Sequence, residues 1–193
     1  MSVKLVAITG GIGTGKSVVS HLLSIMDYPV YDTDAGAKRL MASDSDLQRQ
    51  LRDTFGNEIF MPCGELDRKG LANLVFNDQQ ALQRLNAIVH PAVINDVLHW
   101  RSQLASPVTF VETAILYQSH LDQAVDAVWE VSAPLQVRIN RVMARNGSTA
   151  EEVLRRIEAQ ASEELRHSKH DFIINDGLKP LLPQVTRLLQ VLK

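Results

Sequence analysis

The chain has 193 residues, 45% of them hydrophobic and 22% charged, with a formal net charge of −2. That length suits one α/β domain with a subdomain insertion, and the near-neutral balance excludes the wholesale basic field of a nonspecific nucleic-acid binder. Cys63 is the only cysteine, which rules out an intramolecular disulfide. No run approaches the roughly 20 apolar residues of a membrane span, and the apolar start breaks at glycines too early for a secretory signal, so a soluble, cytoplasmic protein is expected.

In chain order, Leu5 to Thr9 is a short apolar run that ends in a glycine cluster. "SVVSHLLSIM" then places its large apolar residues at helical spacing, so the first unit reads strand, loop, helix. "YPVYD" is a second strand. A mostly helical stretch follows from about Ala35 to Ala105, with breaks expected at Gly56, Pro62, Gly64, Asn77-Asp78 and His90-Pro91. "PVTFVET", "DAVWEVS" and "DFIIN" supply three further strands, and a last helix is expected from Leu178 to about Leu192. Five strands joined by helical crossovers predict an α/β fold with a parallel sheet covered on both faces.

Gly10-Gly11-Ile12-Gly13-Thr14-Gly15-Lys16-Ser17 fits G-x-x-x-x-G-K-[ST], between a predicted strand and a predicted helix. In such a loop glycines let backbone amides close around phosphate oxygens, the helix presents its positive end, the lysine reaches the terminal phosphates and the hydroxyl ligates Mg²⁺. The complete match in this context predicts a P-loop NTPase fold that binds a nucleoside triphosphate with Mg²⁺.

The accessory residues choose among P-loop classes. A guanine-nucleotide switch would need an Asn/Thr-Lys-x-Asp reader, and the chain has none; Asp67-Arg68-Lys69-Gly70 fits D-x-x-G but reads as a helix start. A small-molecule kinase needs an acid near the acceptor hydroxyl, arginines for the transferring phosphate and a lid. "PLQVRINRVMARNGSTAEEVLRRIEAQ" reads as helix, Asn146-Gly147 turn, and a second helix opened by Ser148 or Thr149. Arg138, Arg141 and Arg145 share a helical face there, as an anion clamp or as a solvated face balanced by acids.

The whole set resembles the dephospho-CoA kinases. The resemblance rests on "LVAITGGIGTGKSVV", "VYDTDAGAKRL", "LNAIVHPAV", "VETAILYQSHLD", "RINRVMARNGSTAEEVLRRIEAQ" and "DFIINDG", and covers nearly the full chain. It implies ATP-dependent phosphorylation of the ribose 3′-hydroxyl of dephospho-CoA, with no nucleic-acid, membrane or protein partner. It also implies a P-loop core at 1–34, 106–133 and 168–193, a helical CoA-binding insertion at 35–105 and a short helical lid at 134–167. Two other readings stay open: a shikimate-kinase-like enzyme, which shares the D-x-D after the second strand, and a noncatalytic nucleotide-binding switch.

The resemblance implies roles residue by residue. Asp34 matches the catalytic acid, although the local sequence reads equally well as a helix N-cap. Lys16 and Arg141 attend the phosphates. Gly11, Gly13, Thr14, Gly15, Ser17 and Val18 form the nucleotide cradle, with Arg145 in support and Asn175 on the adenine side. Ser17, Asp32 and Glu112 are the Mg²⁺ candidates, Asp32 equally as a structural hydrogen-bonding group. His90, Leu116, Tyr117 and Gln118 are the acceptor-side candidates, His90 equally as helix-start chemistry before Pro91. At Gln118 the chain departs from the family, which usually carries an acid there.

Overall fold

The computed structural model describes residues 3–161 and 170–192. The end of the expected lid, residues 162–167, and the start of the last expected core segment, residues 168 and 169, lie outside them. Five parallel strands, β1 (Lys4–Thr9), β2 (Val30–Asp32), β3 (Val108–Glu112), β4 (Ala127–Ser132) and β5 (His170–Ile174), form one sheet in the order β2-β3-β1-β4-β5. The central strand β1 has the near-continuous apolar run of a strand covered on both faces. Leu5 through Ile8 are 0% exposed. The expected α/β class and parallel sheet are both present.

The chain divides into two compact units. The first, Met1–Asp32 with Arg101–Lys193, holds the sheet. Helices α1 (Lys16–Ile25) and α8 (Leu181–Val191) contribute Val19, Leu23, Val185, Leu188 and Leu189 to a core shared with Phe110, Trp129 and Ile173 of the strands. Phe110 is the hub: its ring lies 5.0 Å from Trp129 and 5.7 Å, edge-on, from Tyr28. Each such fully buried side chain is worth about 1.5–3 kcal/mol of transfer free energy. Helices α6 (Leu135–Asn146) and α7 (Ala150–Ala161) pack as a hairpin on Ile139, Val142, Val153 and Ile157. Gly147 closes α6 in the left-handed region at φ 67°, and Thr149 and Glu152 form a reciprocal capping box at the start of α7.

The second unit, Thr33–Trp100, is helical. Helix α2 (Thr33–Ser43) is followed by α3 (Ser45–Phe55), which Asp44 caps by accepting from the Leu47 amide. Asp67 accepts from the amides of Lys69 and Gly70 and so starts α4 (Arg68–Asn77), as the D-x-x-G reading required. Asp78 does the same for α5 (Gln79–Ser102).

Three expectations need correction. α5 does not break at His90-Pro91; the helix runs through Pro91. The proline costs a hydrogen bond, but Val89, Val93 and Val97 are buried at four-residue spacing on one face, and their burial outweighs it. Asp34 is not an N-cap: α2 starts at Thr33 directly after β2, leaving Asp34 in its first turn, where a carboxylate complements the helix dipole. The last helix starts at Leu181, because Asp176 draws the amides of Leu178 and Lys179 into a turn and Pro180 precedes the helix.

Candidate active site

Parallel strands put all their carboxyl ends on one edge of the sheet, where ligands of open α/β sheets bind. The glycine loop leaves β1 at that edge. Gly15 opens α1 at φ 91°, no side chain caps the helix and no acid stands in its first turn, so its positive end is presented as an anion site. Left-handed backbone at Gly15 also admits the buried Asn175 amide: a Cβ there would lie 2.2 Å from Asn175 Nδ2. Ser17 and Val18 are exposed, whereas Thr14 is buried and its hydroxyl donates to the Gly11 carbonyl at 2.9 Å. The Lys16 ammonium donates to the Gly10 carbonyl at 2.6 Å and to that of Gly11 at 3.3 Å.

The arginine face of α6 lies against this loop. Arg138 Nε donates to the Ile12 carbonyl at 2.9 Å. Arg141 Nη1 donates to the carbonyls of Asn175, Thr14 and Gly13 at 3.1, 3.4 and 3.5 Å, and its Nη2 donates to Asn175 Oδ1 at 3.1 Å. Asn175, directly after β5, returns a bond from Nδ2 to the Thr14 carbonyl at 2.8 Å. Lys16, Arg141 and Asn175 are therefore brought together on one loop. Arg145 is exposed at the end of α6 and donates to Asn146 at 3.0 Å. Arg138 shares the predicted face, yet its contact with the loop was not foreseen.

Asp32 ends β2 and Glu112 ends β3, and the two are Cα partners in the sheet register. Ile8 pairs with Glu112 on the other side, so the acids stand at the edge from which the loop departs. Asp32 is exposed and Glu112 half-buried. Hard oxygen donors at this edge, together with the Ser17 hydroxyl, are the ligand chemistry that Mg²⁺ takes. No cluster of three or more His, Cys, Asp or Glu that could hold a metal occurs among the described residues.

Beyond β3, the acceptor-side candidates separate by burial. Leu116 is 1% exposed, its side chain enclosed by the protein. Tyr117 is half-buried and Gln118 exposed. Burial first, then the negative charge of Asp122 and Glu130, pushes the Tyr117 phenol up to about 12. Two carboxylates thus act on Tyr117 even though Gln118 itself carries no charge. In the second unit, Asp34 is exposed in the first turn of α2, and His90 is half-buried midway along α5.

Residues 4–179 match the CoaE family, dephospho-CoA kinase. The chain belongs to the dephospho-CoA kinase family. A dephospho-CoA kinase of Bacteroides fragilis is 39% identical across all of this chain and 94% of its own length. The crystal structure of TT1252 from Thermus thermophilus superposes with a TM-score of 0.78 at 34% identity, covering 99% of this chain and 96% of that one. A dephospho-CoA kinase from Campylobacter jejuni shares the fold with a TM-score of 0.68 at 20% identity, over 96% and 95% of the two chains. In this member of the dephospho-CoA kinase family, Arg141 and Asn175 are tied to the phosphate loop by hydrogen bonds to its backbone carbonyls.

Proposed function

We propose that the protein transfers the γ-phosphoryl group of ATP to the ribose 3′-hydroxyl of dephospho-CoA, giving ADP and coenzyme A. Family membership over the full chain supports the reaction, and the loop clamped by Lys16, Arg141 and Asn175 carries it. Such a transfer requires little covalent chemistry from the protein; positioning and charge stabilisation do most of the work.

In this reading the amides of Gly11, Gly13, Thr14, Gly15, Lys16 and Ser17 hold the phosphates and Val18 flanks them. Lys16 and Arg141 face the charge that develops as the Pγ–O bond breaks, a contribution of about 10²–10³ in rate for one such donor. Asn175 lines the adenine side and Arg145 supports the clamp. Asp34 accepts the acceptor hydroxyl's proton as the new P–O bond forms. Ser17, Asp32 and Glu112 would hold Mg²⁺, which when bound offsets phosphate charge. His90, Leu116, Tyr117 and Gln118 form the acceptor side, and at neutral pH Tyr117 stays a neutral hydrogen-bond donor.

Residues 35–105 serve as the CoA-binding insertion and 134–167 as a lid over the core formed by 1–34, 106–133 and 168–193. We also place the enzyme in the cytoplasm, a reading supported by a lone, exposed cysteine; no described helix is long and apolar enough to cross a membrane. Incubation with ATP, Mg²⁺ and either dephospho-CoA or shikimate tests the substrate. Coenzyme A should form from the first and nothing from the second; the reverse result would overturn the assignment.

A further inference from the structure

Gln160, in the last turn of α7, bonds to two segments far from it in sequence. Its Oε1 accepts from the Ile12 amide at 2.7 Å, across 148 positions, and its Nε2 donates to the Ala114 carbonyl at 3.3 Å, across 46. Oxygen toward an N–H and nitrogen toward a carbonyl is the one orientation of a carboxamide that satisfies both partners. The Ile12 side chain meanwhile packs into the apolar core of the α6–α7 hairpin. One loop residue is therefore held by its side chain in the hairpin and by its amide on Gln160. The other end of the bridge, Ala114, lies two residues after Glu112 and three before Tyr117.

We propose that Gln160 is a positioning residue for phosphoryl transfer, a brace that fixes the first turn of the phosphate loop against the acceptor-side segment after β3. The proposal rests on the kinase reading above. The two bonds of the Gln160 carboxamide go to the Ile12 amide and the Ala114 carbonyl, while Thr14 and Lys16 hold the loop through bonds of their own to the carbonyls of Gly10 and Gly11, which remain when the brace is lost. What is lost is the register between loop and acceptor segment, and in-line transfer is sensitive to displacements of about 1 Å, which cost up to about 10²-fold in rate. Glutamate at this position would keep the acceptor for Ile12 but would turn an anion toward the Ala114 carbonyl, and asparagine is one methylene too short to span both.

The test uses Gln160→Ala and Gln160→Glu in the full chain, with kcat, ATP Kd, thermal unfolding and hydrogen exchange of the Ile12 amide by NMR. In Gln160→Ala, kcat should fall about 10- to 100-fold while ATP Kd stays within about threefold, and the Ile12 amide should exchange at least about tenfold faster. In Gln160→Glu the amide should stay protected while kcat still falls, because only the Ala114 end is broken. A Gln160→Ala enzyme with kcat within threefold of the parent overturns the proposal. So does a loss of ATP affinity in step with kcat, or a fully active Gln160→Glu. A large drop in unfolding temperature that accounts for the lost turnover would make Gln160 a packing residue instead. A parent chain that makes no coenzyme A sinks the kinase reading and the role in transfer with it, while Ile12 exchange still decides whether the brace exists.

Discussion

Arg141 and Asn175 hold each other and the same loop carbonyl: Arg141 Nη2 donates to Asn175 Oδ1 at 3.1 Å, and both residues donate to the carbonyl of Thr14. Asn175 is 7% exposed, so deleting its amide strands partners that water does not readily reach. Asn175→Ala should destabilise the fold by about 1–3 kcal/mol, the usual cost of orphaning a buried polar group. Urea unfolding measures this directly. Arg141→Lys keeps the charge but loses the planar fork that serves Asn175 and the loop at once, so kcat/KM should fall about 10²-fold, with a stability loss of about 1 kcal/mol from the acceptors that the ammonium does not reach.

Asp34 separates binding from chemistry. Asp34→Asn keeps size and a hydrogen-bonding oxygen but removes the base, and the helix loses only a modest dipole contribution of about 0.3–1 kcal/mol at an exposed first-turn position. ATP binding should persist while kcat drops by about 10²-fold or more. Near-normal turnover would leave Asp34 with its electrostatic role in α2 alone.

The strands and the phosphate loop were legible because they are local patterns: an apolar run into glycines, then helical periodicity. The caps at Asp67 and Thr149 were legible for the same reason. Pro91 was misread because proline is a local stop signal, and the buried valine face that carries α5 past it is a tertiary fact. The N-cap reading of Asp34 missed by two positions because β2 passes into α2 without a loop. The site resisted more. Arg141 was found by its spacing, but its bond to Asn175 spans 34 positions and that of Gln160 to Ile12 spans 148, and no periodicity encodes such pairings.

Tyr117 gives the stability a signature at high pH. Its folded pKa lies at about 12 against an ordinary value near 10, raised by burial and then by Asp122 and Glu130. Below pH 10 the phenol is protonated folded or unfolded, and its full contribution is present. Between about 10 and 12 the unfolded chain ionises it while the folded chain does not, so stability falls as pH rises through that window. Tyr117→Phe should show a shallower decline over the same range in denaturant titrations.

Pro91 is exposed within a continuous helix, so it costs α5 a backbone hydrogen bond without contributing to the core. Pro91→Ala should raise stability by about 1–3 kcal/mol, the helix-propensity gain less the added freedom of the unfolded chain. A fall in unfolding midpoint would mean that the surrounding packing depends on the ring.

Trp129 sits in β4 beside Ile8 of β1, fully enclosed and touching Phe110, and its indole N–H has no hydrogen-bond partner among the described residues. An indole so far removed from water emits at the short-wavelength end of its range and is poorly reached by aqueous quenchers. Trp100, the only other tryptophan, is partly exposed in the helical unit. The two fluorophores thus report on different halves of the chain, and red shift or quencher access at Trp129 would follow opening of the sheet with no label attached.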